Sequence, residues 1–266
     1  MMGNRRWLLL TSLLMPLLLA GCGSNPVSGV GAQDEDTTGQ LGSPVKRTSP
    51  ADVYVDLGTV YLRDGNLTEA FKNARKAVML DERSSSAHNL LGLIHQRFGE
   101  NAMAEKHYRR AVELEPQNPY ALNALGSFVC SAGAYEEADG YFKRALRNPL
   151  YPTPWVASHN AGRCAERAGL IGQAEAYYRA ALQRNPLFAP SLLRMAHLSF
   201  DSNNYLSARA YVQRFEQVGR DTAESLWLGL RIEKQLGDMD QVASYSIKLR
   251  ENFPDSEQAR FLNEAE

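Results

Sequence analysis

Cysteine is scarce in this 266-residue chain, with three residues at Cys22, Cys130 and Cys164. That number excludes a disulfide-dense miniature scaffold, and the lack of a CxxC pair excludes the usual zinc spacing. A basic excess is missing too: 29 Lys and Arg face 30 Asp and Glu, a formal net charge of −1. A phosphate backbone is held by a basic stripe, so nucleic acid is not an expected partner. No strand pattern is evident, and no HExxH, GxSxG or P-loop occurs. The five histidines, His88, His95, His107, His159 and His197, form no short-spaced cluster with Cys or Asp. His88 and His95 are seven apart, too far to share a metal within one turn. Carboxylates such as Glu136-Glu137 and Glu113/Glu115 read as solvated helix faces. The expectation is therefore no enzyme, no metal and no small-molecule substrate.

A long apolar run is the next near-absence. Trp7 to Leu19 gives 13 apolar-dominated residues interrupted by Thr11, Ser12 and Pro16, short of the ~20 that a membrane span needs. Asn4-Arg5-Arg6 precedes it and Ala20-Gly21 follows, the order of a secretory signal over residues 1–21. Leu19-Ala20-Gly21-Cys22 resembles the lipobox of bacterial lipoproteins. The resemblance implies that the Cys22 thiol takes a diacylglycerol, that the signal is cut before it, and that the new N-terminus is acylated. Two acyl chains hold a protein stably at a membrane, each buried methylene contributing about 0.8 kcal/mol. Covalent lipid on Cys22 is the only cofactor expected. Gly23, where that family often has Asp for inner-membrane retention, points to the outer membrane, periplasmic face. The mature chain carries 27 basic and 30 acidic residues, or −3. Residues 22–50, rich in Gly, Ser, Thr and Pro with an acidic Asp34-Glu35-Asp36, read as a flexible tether.

From residue 51 the chain repeats. Gly65, Gly99, Gly133, Gly169, Asn203 and Gly237 are spaced 34, 34, 36, 34 and 34. Ala70, Ala104, Ala138, Ala174, Ala208 and Val242 lie five residues later. Ala77, Ala111, Ala145, Ala181, Phe215 and Leu249 lie seven further on. Gly58, Gly92, Gly126 and Gly162 fill an earlier small site, and Tyr108, Phe142 and Tyr178 an aromatic one. This pattern resembles the tetratricopeptide repeat. The expected fold is all-α, a right-handed superhelix of about six helix hairpins with a concave groove. Its units are 51–84, 85–118, 119–152, 155–188, 189–222 and 223–256, then a C-terminal cap built on Phe261 and Leu262. A two-residue insertion, Thr153-Pro154, lengthens one turn. Units one, five and six depart from the pattern: Ala74, Ser199 and Val212 stand at aromatic sites, and the sixth is shifted around Leu226–Gly229. Terminal units of a solenoid are often atypical.

Groove-facing positions of the first helices place Asn89, Gln96, Arg97, Asn123, His159, Arg163, Arg167, His197 and Trp227 toward a protein partner. Asn and Arg suit a peptide backbone or carboxylate, and Trp is a frequent hot spot. Cys130 and Cys164 fall in the first helices of neighbouring units. They are either a disulfide, persistent in an oxidising compartment, or two buried thiols; both readings stand.

The layout of lipoprotein signal, tether and six repeats resembles the type IV pilus biogenesis lipoproteins of the PilF or PilW kind. So do "RNPLYPTPWVASHNAGRCAERAGL" and "NNYLSARAYVQRFEQVGRDTAESLWLGLRIEKQLGD". The resemblance implies a pilotin: an outer-membrane lipoprotein that binds the secretin, the ring channel for the pilus, and supports its localisation and multimerisation. Of the family's functional residues only the lipidated cysteine is carried over, to Cys22. The rival expectation is a repeat lipoprotein serving as adaptor for an envelope protease, wall hydrolase or barrel assembly. An enzyme would need a site among His159, Arg163 and Glu166.

Overall fold

The computed structural model describes residues 49–264. The signal expected over 1–21, Cys22, and the tether up to residue 48 lie outside the described residues. The tether was expected to reach residue 50, but Ser49 and Pro50 already belong to a helix start. Ser49 caps it, its hydroxyl accepting from the Asp52 amide while the Asp52 carboxylate accepts from the Ser49 amide.

The described residues form thirteen helices. Six hairpins pair α1 (Pro50–Arg63) with α2 (Leu67–Leu80), α3 (Ser85–Arg97) with α4 (Asn101–Leu114), and α5 (Pro119–Ser131) with α6 (Tyr135–Leu146). They continue with α7 (Pro154–Arg167) and α8 (Ile171–Arg184), α9 (Ala189–Asp201) and α10 (Tyr205–Glu216), and α11 (Ala223–Leu236) and α12 (Met239–Asn252). α13 (Glu257–Glu264) closes the stack. Each hairpin packs on the next, and the first helices of repeats one to four also touch in sequence. The solenoid of tetratricopeptide hairpins expected from the column spacing is the observed architecture. No helix among the described residues is long and apolar enough to cross a membrane.

The small-residue columns have a steric cause. A Cβ on Gly92 would lie 2.6 Å from the Tyr108 ring, and one on Gly162 2.7 Å from the Tyr178 ring. In repeat one, where Ala74 replaces the aromatic, Leu90 of the next repeat reaches in and would meet a Cβ on Gly58 at 2.8 Å. Repeat six restores the pairing one residue early, with Gly229 against the Tyr245 ring at 2.6 Å. Gly162→Ala is expected to lower stability by about 1–3 kcal/mol through this overpacking. Urea unfolding checks it, and an unchanged midpoint would mean the Tyr178 ring can move aside freely. The hairpin loops end their first helices in the left-handed region, where Asn203 (φ 60°) serves as the glycines do elsewhere.

The Thr153-Pro154 insertion places a proline at the first position of α7, where its missing N–H costs nothing. Tyr151 anchors the lengthened turn, buried edge-on against Tyr120 at 5.2 Å between ring centroids. At the other end the cap forms in part as expected. Leu262 is buried, whereas Phe261 stays largely exposed while its ring lies 6.4 Å from that of Trp227.

Candidate functional site

The first helices α1, α3, α5, α7, α9 and α11 carry the residues expected in the groove. Gln96, Arg97 and Arg167 are exposed, and Arg163, His197 and Trp227 are partly so. Three others are corrected. Asn123 is 0% exposed and its Oδ1 accepts from Asn160 Nδ2 at 3.1 Å, tying α5 to α7. His159 is 2% exposed; its Nδ1 is 3.0 Å from Ser191 Oγ, and its ring packs on Tyr178 and Phe188. Asn89 borders the groove wall but is only 4% exposed. In repeats two to four the fifth position of the repeat is buried beside the neighbouring first helices, so its side chain serves the stacking rather than a partner.

Gln96 also has an internal task, since its Oε1 accepts the Tyr108 hydroxyl at 2.7 Å. Glu166, at the same position two repeats on, accepts the Tyr178 hydroxyl at 2.7 Å. It is ion-paired with Arg194 of α9 as well, Arg194 Nε lying 3.2 Å from Oε2 and Nη2 bonded to Oε1. His197 Nε2 lies 2.9 Å from Glu224 Oε1. A catalytic grouping of His159, Arg163 and Glu166 is not built: His159 is sealed in the core, and Glu166 is occupied by Tyr178 and Arg194. Among the described residues no group of three or more His, Cys, Asp or Glu is placed to hold a metal ion.

Two of the cavities along these helices carry charged side chains. The larger, about 870 Å³, runs beside the starts of α1, α3 and α5 and carries Asp52, Asp56, Asp81 and Glu115 against Arg83. The smaller, about 460 Å³, lies between α7 and α9, and its lining among the described residues is Arg163, Glu166, Arg167 and Arg194. Sequence reasoning placed Arg163 and Arg167 there but missed Arg194, whose sixth position in the helix is not among the usual groove positions. A separate apolar stripe runs down α1, where Val53, Leu57 and Val60 are 41–46% exposed at i, i+4 and i+7. It exists because no described repeat precedes α1 to cover that face.

Cys130 of α5 and Cys164 of α7 form a disulfide with their Cα atoms 5.9 Å apart, which decides between the two readings of the sequence. It staples repeat three to repeat four. Sequence reasoning also missed a histidine stack. The His107 ring lies parallel to those of His88 and His95, at 5.2 and 5.3 Å between centroids, with His107 Nδ1 2.9 Å from His88 Nδ1. The signal was present: two histidines seven apart share a helix face, and the hairpin returns His107 between them. Burial first, then the neighbouring histidines, push the His107 pKa down to about 4.

Comparison with known proteins bears on this surface. A tetratricopeptide-repeat family model matches residues 55–119 and 89–153. The type IV pilus assembly protein PilF of Pseudomonas aeruginosa is 33% identical over 210 residues, covering 79% of this chain and 83% of that protein. The solved structure of the Pseudomonas aeruginosa PilF superposes with a TM-score of 0.74 at 32% identity, covering 81% of this chain and 97% of the other. That of PilW, a widely conserved type IV pilus biogenesis factor, gives 0.73 at 28% identity, covering 81% and 99%.

Proposed function

This chain belongs to the PilF family of type IV pilus assembly proteins, and from that premise we propose that it is a pilotin. It is an outer-membrane lipoprotein, anchored on the periplasmic face through lipid on Cys22, that binds the secretin subunit and supports its placement and multimerisation. The observation that carries this reading is a PilF-like solenoid over four fifths of the chain, joined to a lipobox-like Leu19-Ala20-Gly21-Cys22. The structural disulfide supports export, because such bridges persist in oxidising compartments.

The physical division of labour is simple. Acyl chains fix the destination, the tether gives reach, and the stacked hairpins present a rigid surface. Binding free energy does the work and no bond in the client is made or broken. A preorganised solenoid loses little entropy on engaging a client, which favours affinity.

Fractionation of cells with native protein, with Cys22→Ala, and with the gene deleted tests the proposal, with heat-resistant secretin multimers as readout. Native cells should hold the multimers in the outer membrane. Cys22→Ala should misplace them and the deletion should lose them. Secretin multimers unchanged by the deletion would sink the pilotin reading and favour an adaptor for another envelope client.

A further inference from the structure

We propose that the turns joining repeats three to six form a docking edge for an anionic phospholipid surface, through leucine and arginine side chains at their tips; this rests on the reading of the chain as a membrane-anchored lipoprotein. The sequence Arg-Asn-Pro-Leu-aromatic occurs twice, at 147–151 and 184–188, each time at the end of a second helix. The two turns are built alike. Asn148 Oδ1 accepts from the Leu150 amide at 2.9 Å, and Asn185 Oδ1 from the Leu187 amide at 3.2 Å. The aromatic residue points inward, Tyr151 against Tyr120 and Phe188 against His159. The leucine is left outside: Leu150 is 85% exposed and Leu187 54%. Arg147 and Arg184 are exposed, and their guanidinium groups have no hydrogen bond or ion pair among the described residues. The next turn repeats the chemistry with exposed Val218 and an exposed Arg220, which also has no such partner. Within 147–153, 184–188 and 217–222 these three arginines meet one carboxylate, Asp221.

A lipid surface fits this arrangement better than a shaped partner does. An exposed leucine on a turn tip can enter a yielding acyl layer without a matching pocket opposite it, while an arginine three residues away reaches headgroup phosphate. Arg144 and Arg214 add charge nearby, since each donates to a neutral acceptor, the carbonyls of Pro116 and Pro186. The chain's own connectivity brings this edge to a membrane. First helices start and second helices end on it, so α1 begins there too, and Ser49 and Leu150 line one cavity. The chain leading from Cys22 therefore joins the repeats on the edge that carries the leucines. Charge then selects the part that docks. The turns after α2 and α4 carry Asp81, Glu82 and Glu115 against Arg83, so an anionic surface engages the later turns and repels the first two.

A tryptophan reporter in the mature protein, purified from cells, tests this with vesicles of phosphatidylglycerol and phosphatidylethanolamine whose acyl chains are brominated. The fluorescence added by Leu150→Trp should be quenched. That added by Phe98→Trp, on the hairpin-loop edge opposite, should not. With Leu150→Trp as reporter, Arg184→Gln should lower the docked population about fivefold and Leu187→Ser about tenfold. Added salt should weaken docking as well. Both replaced side chains are exposed and Arg184 is unbonded among the described residues, so these variants should keep the native melting temperature. No quenching at position 150, equal quenching at 150 and 98, or quenching indifferent to both variants overturns the docking edge. Secretin capture lost in Arg147→Glu/Arg184→Glu, with position 150 unquenched, also overturns it, in favour of a protein partner. The intact mass of the purified protein scores the lipid anchor separately. Acylated protein that floats with the vesicles but is unquenched at 150 removes the edge and keeps the lipoprotein reading. Unacylated protein quenched at 150 keeps the edge and removes that reading.

Discussion

Reducing the Cys130–Cys164 bridge is expected to destabilise the repeat domain by about 3–4 kcal/mol, from the loop entropy released over a 34-residue separation. For a domain of this size that corresponds to a fall in melting temperature of roughly 10 °C. Both sulfurs are buried, so the bridge reports on native packing rather than on a loose surface loop. The double variant Cys130→Ala/Cys164→Ala should unfold like the reduced protein and be indifferent to reductant. The transition should also broaden. Each repeat of a solenoid contacts mainly its neighbours, so without the staple repeats one to three and four to six can melt in separate steps. Urea unfolding followed by circular dichroism, with and without reductant, measures both effects. A midpoint unmoved by reduction would show that stacking of α5 on α7 holds the junction without the bond.

Acid should be the second strong stress. Burial first, and then the charge of Arg194, push His159 from the ordinary 6.5 down to about 3. Its folded form is neutral, while the unfolded chain takes up a proton below about pH 6.5. The sign follows: stability is full above pH 6.5 and falls as pH drops toward 3. At pH 4 the His159 share is about 3 kcal/mol, and His107, half-buried in its stack, adds to the loss down to its own pKa of about 4. His159→Gln keeps a side chain able to bond Ser191 but cannot titrate. It should flatten the dependence of unfolding midpoint on pH between about 7 and 4. An unchanged slope in that variant would place the acid sensitivity elsewhere, with the His88–His95–His107 stack the next group to replace.

The fold was legible because the repeat imposes itself three ways. The glycine column marks where each first helix ends, the alanine columns mark where helices cross closely, and Gly92/Tyr108 or Gly162/Tyr178 pairs mark each hairpin's interior. Even the irregular sixth repeat kept its Gly229/Tyr245 pair, displaced by one residue. The site was less legible, because a position within a helix fixes a direction but not what stands opposite. Asn123 and His159 point where groove residues point, yet Asn160 and Ser191 of adjacent helices close over them. Arg194 was invisible for the converse reason. Its importance comes from Glu166 and Tyr178, one repeat earlier, which no spacing within its own unit encodes.

The staple between repeats three and four has a mechanical consequence as well. A stack of hairpins pulled from its ends pays out chain one hairpin at a time, but the 34 residues bridged by Cys130 and Cys164 cannot lengthen while the bond holds. About 115 Å of contour, at ~3.4 Å per extended residue, stays locked at the centre of the stack. Under tension the outer repeats are the yielding parts, and α5 and α7 remain tethered side by side as the point from which they can re-form.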